Sequence, residues 1–351
     1  MTAYWKRFRS SLMGKQSELI AAGPIIAADH AANLEGKKIA DVVQSADLLS
    51  TCLLEAYRFY DGDFVIVFSD VNVEAEAMGA CLDFPDDSPP YIVKTVEPEA
   101  LKNTLPQRDG RLPMMIEAVQ QIAAARRREM PVFASMKDPF SAAVLACGIE
   151  YFLTLLVSQP ERAHCAIEVA LQNQRKYLDA LLKTGVDIVI GAPLASGGIL
   201  GQTHFRNFAF QPIYELIDTV KRRGRIAGVH LCGDANPILD LLVQIPADFF
   251  SLETFDLQHW KRLISNHHAR PALMGFVPTH LFLFAGRKAI QQEVENECNA
   301  LAGYPHILAS ACDVPQTSSP DTILHFMAVA RSLPVPMKTG SPESPGVNSG
   351  N

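Results

Sequence analysis

The sequence predicts a closed (β/α)8 barrel, a TIM-like α/β fold, on three observations. Short apolar runs rich in β-branched and aromatic residues recur between longer stretches of helical periodicity, the mark of repeated βαβ units around a parallel sheet. No Gly-rich phosphate loop follows the first such run, which favours a barrel over a doubly wound sheet. The chain has 351 residues, 48% of them hydrophobic and 20% charged, enough to bury one large core.

Taken in order, residues 1–60 read as mainly helical, with 37–60 as one amphipathic helix ended by the Asp61-Gly62 turn. They are expected to form an N-terminal helical cap belonging to the same domain as the barrel, which occupies 61–335. Seven strands are read within the barrel: 64–68 (FVIVF), 131–135 (PVFAS), 187–191 (DIVIG), 226–230 (IAGVH), 248–252 (DFFSL), 272–276 (ALMGF) and 306–309 (HILA). One strand remains to be found. Between them, 163–183 carries apolar residues at helical spacing, and 211–223 has Pro212 near its first turn. The Pro-rich and acidic stretch 81–106 reads as an elaborated loop with room for a hairpin. After Arg331 the chain turns to Pro, Gly, Ser and Asn, and 336–351 is expected to be a disordered tail.

Composition narrows the function. A net charge of −7 leaves no basic surplus to neutralise phosphates, so neither nucleic acid nor an anionic membrane is expected as a partner. Lys6, Arg7 and Arg9 are followed by no uninterrupted apolar stretch and no small-residue cleavage pattern, and no apolar run reaches the roughly 18 to 20 residues of a spanning helix. Seven scattered cysteines argue against a disulfide framework. A cytoplasmic protein with free thiols is expected.

Three residues stand out chemically. His230 and Cys232 flank Leu231 at the end of the IAGVH run, and side chains two apart on a strand point the same way. Cys312 follows another strand, in Ser310-Ala311-Cys312-Asp313. All C-terminal strand ends of a barrel surround one mouth, where active sites sit, so the three can converge. A His-x-Cys pair taken alone is most often a hydrogen-bonded core histidine beside a small buried thiol. What raises this one is that every member falls at a strand end. Two sulfurs and one imidazole with a fourth position open make a catalytic rather than a structural zinc arrangement.

Carboxylates supply further candidates. Asp70, after the first strand read above, is a candidate for substrate binding or acid/base work, with a structural role about equally expected. Glu74 suits a helix N-terminus. Glu253 ends the DFFSL run and could serve as a fourth ligand or brace one, although an exposed loop carboxylate is the plainer reading. Asp29-His30 could reach the mouth, with a helix cap as its default.

These stretches resemble the uroporphyrinogen decarboxylase superfamily, and within it the branch of methylcobalamin:coenzyme M methyltransferases. The matching segments are 64–80 (FVIVFSDVNVEAEAMGA), 139–159 (PFSAAVLACGIEYFLTLLVSQ), 185–198 (GVDIVIGAPLASGG), 229–233 (VHLCG), 273–275 and 307–315 (ILASACDVP). The resemblance implies zinc held by His230, Cys232 and Cys312. It also implies transfer of a methyl group from methylcobalamin or a protein-bound corrinoid to a thiol or similar acceptor. No Asp-x-His-x-x-Gly corrinoid signature is present, so the donor is expected on a separate corrinoid protein. A homodimer is left open.

Departures from the pattern matter. Uroporphyrinogen decarboxylases carry an arginine-bearing segment of the type FRQAGRY where residues 22–32 read AGPIIAADHAA, and a histidine-containing segment where this chain has Ala311-Cys312-Asp313. Asp70 matches their binding aspartate, but one carboxylate without the arginines cannot hold their substrate. A decarboxylase-like lyase acting on a tetrapyrrole or other carboxylic acid is therefore the alternative. Relative to the methyltransferases, Lys137-Asp138-Pro139-Phe140 stands where Gly-Pro-Phe is commoner, and Gly275-Phe276 where Gly-Asn is.

Overall fold

The computed structural model describes residues 1–15, 19–265 and 270–333. Eight strands form the main sheet: β1 Ala22–Ile25, β2 Val65–Val67, β3 Val132–Lys137, β4 Asp187–Gly191, β5 Ala227–Asp234, β6 Phe249–Thr254, β7 Ala272–Val277 and β8 His306–Asp313. All neighbours are parallel, in the order β1-β8-β7-β6-β5-β4-β3-β2. The sheet curls into a nearly closed barrel with helices outside it.

Its two ends, β1 and β2, meet at a seam that side chains close. Asp63 Oδ2 accepts from Ala22 N at 2.8 Å, and Asp63 N donates to Ala22 O at 2.8 Å. Higher up, the Tyr57 hydroxyl accepts from Ile26 N at 3.3 Å and from Ile66 N at 3.2 Å. Backbone groups that an eighth ladder would have satisfied are thus bonded to side chains instead.

Both faces of the sheet are buried, which is why its strands read as continuous apolar runs. Within each run the residues alternate. Phe64, Ile66, Phe133, Val189, Phe249, Met274 and Ile307 fill the barrel interior, while Val65, Val67, Val132, Ile188 and Ile190 pack against the helices. Gly228 on β5 must lack a side chain, because a Cβ there would stand 2.2 Å from the Phe249 ring. The floor is closed by the helix Ala3–Leu12, whose Phe8 inserts against Phe64 and Phe133 with ring centroids 6.1 and 5.6 Å apart. The same helix offers Arg7 to the fully buried Asp63, which Arg331 engages from the far end of the chain.

The N-terminal expectation is corrected in two places. The missing strand, β1, lies inside residues 1–60, so this segment builds part of the barrel wall. Its Ala-Gly-Pro-Ile composition lacks the β-branched run that marks the other strands. The helix read over 37–60 is two, Ile39–Val42 and Ala46–Tyr60, separated where the Ser45 hydroxyl accepts from Leu48 N and caps the second. That second helix does end at Asp61, which is left-handed at φ 52°.

The 81–106 stretch contains an antiparallel hairpin, Cys81–Asp83 with Tyr91–Lys94. The helices read over 163–183 and 211–223 are Pro160–Lys183 and Gln211–Arg222. The expected tail, 336–351, lies outside the described residues. No single described helix is long and apolar enough to cross a membrane. All seven cysteines are free.

Candidate metal centre at the barrel mouth

On β5, Val229 and Leu231 turn outward into the helix layer, so His230 and Cys232 turn inward. The strand register places Lys137, Gly191, His230, Ser251 and Met274 side by side on β3 to β7, one layer around the mouth. Cys312 joins them through an irregularity. Gly23 of β1 pairs with Ala309 but Ile25 pairs with Asp313, so β8 bulges between these points. Strict alternation from Ile307 and Ala309 would send Cys312 outward; the bulge re-aims it into the cavity.

The three donors meet. His230 Nε2 lies 3.3 Å from Cys232 Sγ and 3.4 Å from Cys312 Sγ, and the two sulfurs are 3.8 Å apart. The other ring nitrogen, Nδ1, lies 2.9 Å from Ser251 Oγ. With Nδ1–H donating to that hydroxyl, the Nε2 lone pair faces the sulfurs. A second bulge, at Gly233 with φ 72°, ends β5 just past Cys232.

The thiols are electrostatically unequal. The hydrogen bond from Cys312 draws Cys232 below the usual thiol range, while the same contact and burial hold Cys312 well above it. Burial alone would lower His230, but the neighbouring Cys312 and Asp313 outweigh it and hold the imidazole above its ordinary value. Two sulfurs this close cannot both ionise without a cation between them. Asp313 Oδ1 accepts from Cys312 Sγ at 3.0 Å.

The donors line a cavity that opens at the mouth. Its walls are mostly apolar, including Ile25, Ile66, Phe68, Phe249 and Met274, and its polar groups are few: Ser135, Lys137, Ser251 and Asp313 besides the donors. The lining suits a small organic ligand held by a handful of directed contacts.

The carboxylates singled out by sequence stand apart from this cavity. Asp70 is buried, but Arg111 grips it at 2.6 and 3.1 Å and Asn72 N donates to it at 2.9 Å. Arg111 also binds Glu76 at 2.6 Å. Glu253 accepts from Gly233 N at 2.6 Å, bracing the bulge beyond Cys232. Glu74 Oε1 accepts from Lys137 N at 2.7 Å. Asp29 opens the helix Ala28–Leu34 just past β1, where burial pushes its carboxyl up to about 6. His30 is lowered by burial and turns its Nε2 to the Tyr60 hydroxyl at 2.9 Å.

Sequence reasoning missed Ser251 and Lys137 as cavity residues. Both carried a signal. Ser251 is a polar residue at an inward position of a core strand, two after Phe249. Lys137 is two after Ser135 and four after Phe133, on the same face of a strand that runs past the apolar stretch.

Comparison with known proteins gives a consistent picture. The pattern of the uroporphyrinogen decarboxylase (URO-D) family matches residues 8–333. The chain is similar to a methylated-thiol–coenzyme M methyltransferase of Methanosarcina mazei, 24% identical over 311 residues and covering 87% of this chain and 79% of that one. It is also similar to a uroporphyrinogen decarboxylase of Azoarcus sp., 23% identical over 299 residues and covering 81% of each. Among solved structures, a methyltransferase from Methanosarcina mazei superimposes with a TM-score of 0.82 at 18% identity, covering 94% of this chain and 99% of that one.

Proposed function

Since this chain belongs to the uroporphyrinogen decarboxylase family, we propose that it is a zinc-dependent methyltransferase, carrying a methyl group from a methylated corrinoid on a separate protein to a thiol acceptor. The observation that carries this reading is the triangle His230, Cys232, Cys312. A tetrahedral zinc with ordinary bond lengths has edges of about 3.8 Å between sulfurs and about 3.6 Å between sulfur and nitrogen. The observed 3.8, 3.3 and 3.4 Å fit such a face. The set is also chemically apt, since two soft thiolates and a neutral imidazole suit zinc, and among the described residues three protein donors come together.

Zinc, when bound there, would deprotonate an acceptor thiol and hold it at the mouth. The chain's own residues do the rest. Cys232 and Cys312 as thiolates would balance the charge of the ion, so an added thiolate would stay electron-rich. Ser251 fixes the tautomer and tilt of His230. The apolar walls keep water from competing for the methyl group. Val71, Ile199 and Phe284 are exposed on segments that follow β2, β4 and β7, an apolar rim suited to a docked corrinoid protein. Free thiols agree with a cytoplasmic setting.

The decarboxylase alternative draws on the likeness to the Azoarcus enzyme. It is disfavoured because the buried arginine near the mouth, Arg111, is already committed to Asp70 and Glu76, which leaves Lys137 as the one fixed cation among the described residues that line the cavity. A multiply charged tetrapyrrole acid would find too little positive charge here.

The test is to incubate the zinc-loaded protein with methylcobalamin and a panel of small thiols, following corrinoid demethylation by absorbance. Thiol-dependent demethylation should be lost on chelation and restored by zinc. Demethylation at the uncatalysed rate with every thiol would refute the proposal.

A further inference from the structure

Outside the barrel wall, a second and smaller cavity lies among the helices Val73–Ala77, Leu112–Arg126 and Pro160–Lys183. Its lining includes Glu74, Thr104, Gln174 and Tyr177, none more than 6% exposed. Helical spacing brings the last two together, since Gln174 and Tyr177 stand three apart on one helix. Thr104 is held by its backbone. Its N–H donates to Asn173 Oδ1 at 2.8 Å, and its carbonyl accepts from the exposed Lys176 Nζ at 3.2 Å. The Thr104 hydroxyl, fully buried, has no partner among the described residues. A polar atom left so inside a fold is costly and points to a ligand that satisfies it.

The other polar groups show what that ligand must be. Asn173 spends its second end on Lys102 O at 2.8 Å. Gln174 Nε2 donates to Lys137 O at 2.8 Å, which leaves the amide oxygen Oε1 for the cavity. Glu74 Oε1 accepts from Lys137 N at 2.7 Å, which leaves Oε2. Burial, and then the charge of Glu74, hold the Tyr177 hydroxyl well above its ordinary range, so it stays neutral. One carboxylate, two hydroxyls and an amide carbonyl thus surround the space, and no described residue lining it is cationic.

Charge is out of balance on this side of β3. Asp70, Glu74 and Glu76 bring three carboxylates, while Arg111 is shared between Asp70 and Glu76. The Lys137 ammonium points away, into the mouth cavity. Glu74 therefore keeps a buried negative charge that an N–H bond alone does not offset.

We infer that this cavity is a binding site for one monovalent metal cation, potassium or sodium, held by Glu74, Thr104, Gln174 and Tyr177. Oxygen ligands suit a hard cation, and a single carboxylate matches a single positive charge, whereas calcium and magnesium sites draw on more carboxylates or retained waters. The inference is independent of the zinc reading. Its consequence for the fold is local: Glu74 and Gln174 grip the N–H and the carbonyl of Lys137, so the ion braces the end of β3 from behind.

The experiment follows the melting temperature of the purified full-length protein during titration with potassium, sodium, magnesium, calcium or tetramethylammonium chloride at matched ionic strength. Tetramethylammonium is too large to enter and reports screening alone. Potassium or sodium, whichever fits, should give a saturable rise on the order of 2–4 °C above the tetramethylammonium value. Glu74→Gln keeps an acceptor for Lys137 N and should abolish that rise. In tetramethylammonium it should melt no lower than wild type, because a buried charge has been removed; a merely structural carboxylate would lower it. Thr104→Val, of nearly equal shape, should move the titration midpoint about tenfold higher in concentration. Equal responses to all five salts overturn the assignment, as does a response to magnesium or calcium alone. So does an unchanged potassium or sodium response in Glu74→Gln, or, should that variant not fold, an unchanged midpoint in Thr104→Val.

Discussion

His230 Nδ1 and Ser251 Oγ stand 2.9 Å apart on register-paired positions of β5 and β6, so a strand ladder rather than a flexible loop orients the imidazole. Ser251 is buried, with its hydroxyl beside Gly275 of β7, where the backbone holds φ at 111°.

The serine should therefore act on metal affinity without touching the metal. Ser251→Ala is expected to weaken zinc binding about 10- to 100-fold, the usual effect of removing a group that orients a ligand, and to leave the fold intact. Competition against a chromophoric chelator measures it. Unchanged affinity would mean that the imidazole is held by its packing alone.

A second prediction concerns the seam between β1 and β2. Asp63 is fully buried and gathers Arg7, Arg331 and the Ala22 amide, tying the first and last described helices to the wall. Asp63→Ala would leave two partly buried guanidinium groups and one amide unpaired, at a cost of about 3 kcal/mol or more. Chemical denaturation should show it as a lowered midpoint with an unchanged slope. A loss under about 1 kcal/mol would show that the seam is held by packing instead.

A pH dependence follows from Asp187, at the start of β4, whose carboxyl burial raises from 3.8 to about 6 even though Ile226 N donates to it. Because the folded value lies above the unfolded one, its stabilising contribution is complete below about pH 4. That contribution is lost as the pH rises through about 6. Asp187→Asn keeps the acceptor oxygen and removes the titration. Relative to wild type, the variant should gain on the order of 2–3 kcal/mol in unfolding free energy between pH 4 and pH 7. A difference that does not change with pH would exclude a raised Asp187.

Most of the barrel was legible because its strands are buried on both faces and announce themselves as apolar runs. The exception, β1, is short, contains Gly and Pro, and is identified by its partner β8 and by Asp63 rather than by its own composition. His230 and Cys232 were legible from strand parity. Cys312 was found by its position after a strand, although parity alone would have pointed it outward, because the β8 bulge cannot be read from Ser-Ala-Cys-Asp. Asp70 illustrates the opposite limit. Its place beside the first strand read in the sequence fits a substrate-binding and a structural carboxylate about equally, and its contact with Arg111, 41 residues away, cannot be read from that place. Phe276 is a backbone matter, since it holds φ at 88°, a conformation that Asn tolerates better than Phe, and packs instead against Phe255 at 5.1 Å.

The last prediction separates a catalytic metal from one that merely staples the barrel, because both would use the same donors. Purified protein should hold about one zinc per chain through one nitrogen at about 2.0–2.1 Å and two sulfurs at about 2.3 Å, as X-ray absorption would read. Cys312→Ala removes one of those sulfurs and should abolish or greatly weaken zinc binding and methyl transfer. The fold should survive, because Cys312 is only half-buried at the mouth, while the interior is filled by Phe8, Phe64, Phe133 and Phe249 without help from a metal. Far-UV circular dichroism, melting temperature and thiol-dependent methylcobalamin decay are measured side by side for wild type and variant. Unfolding of the variant would make the metal structural, and methyl transfer at the wild-type rate by a folded, zinc-free variant would remove zinc from the mechanism.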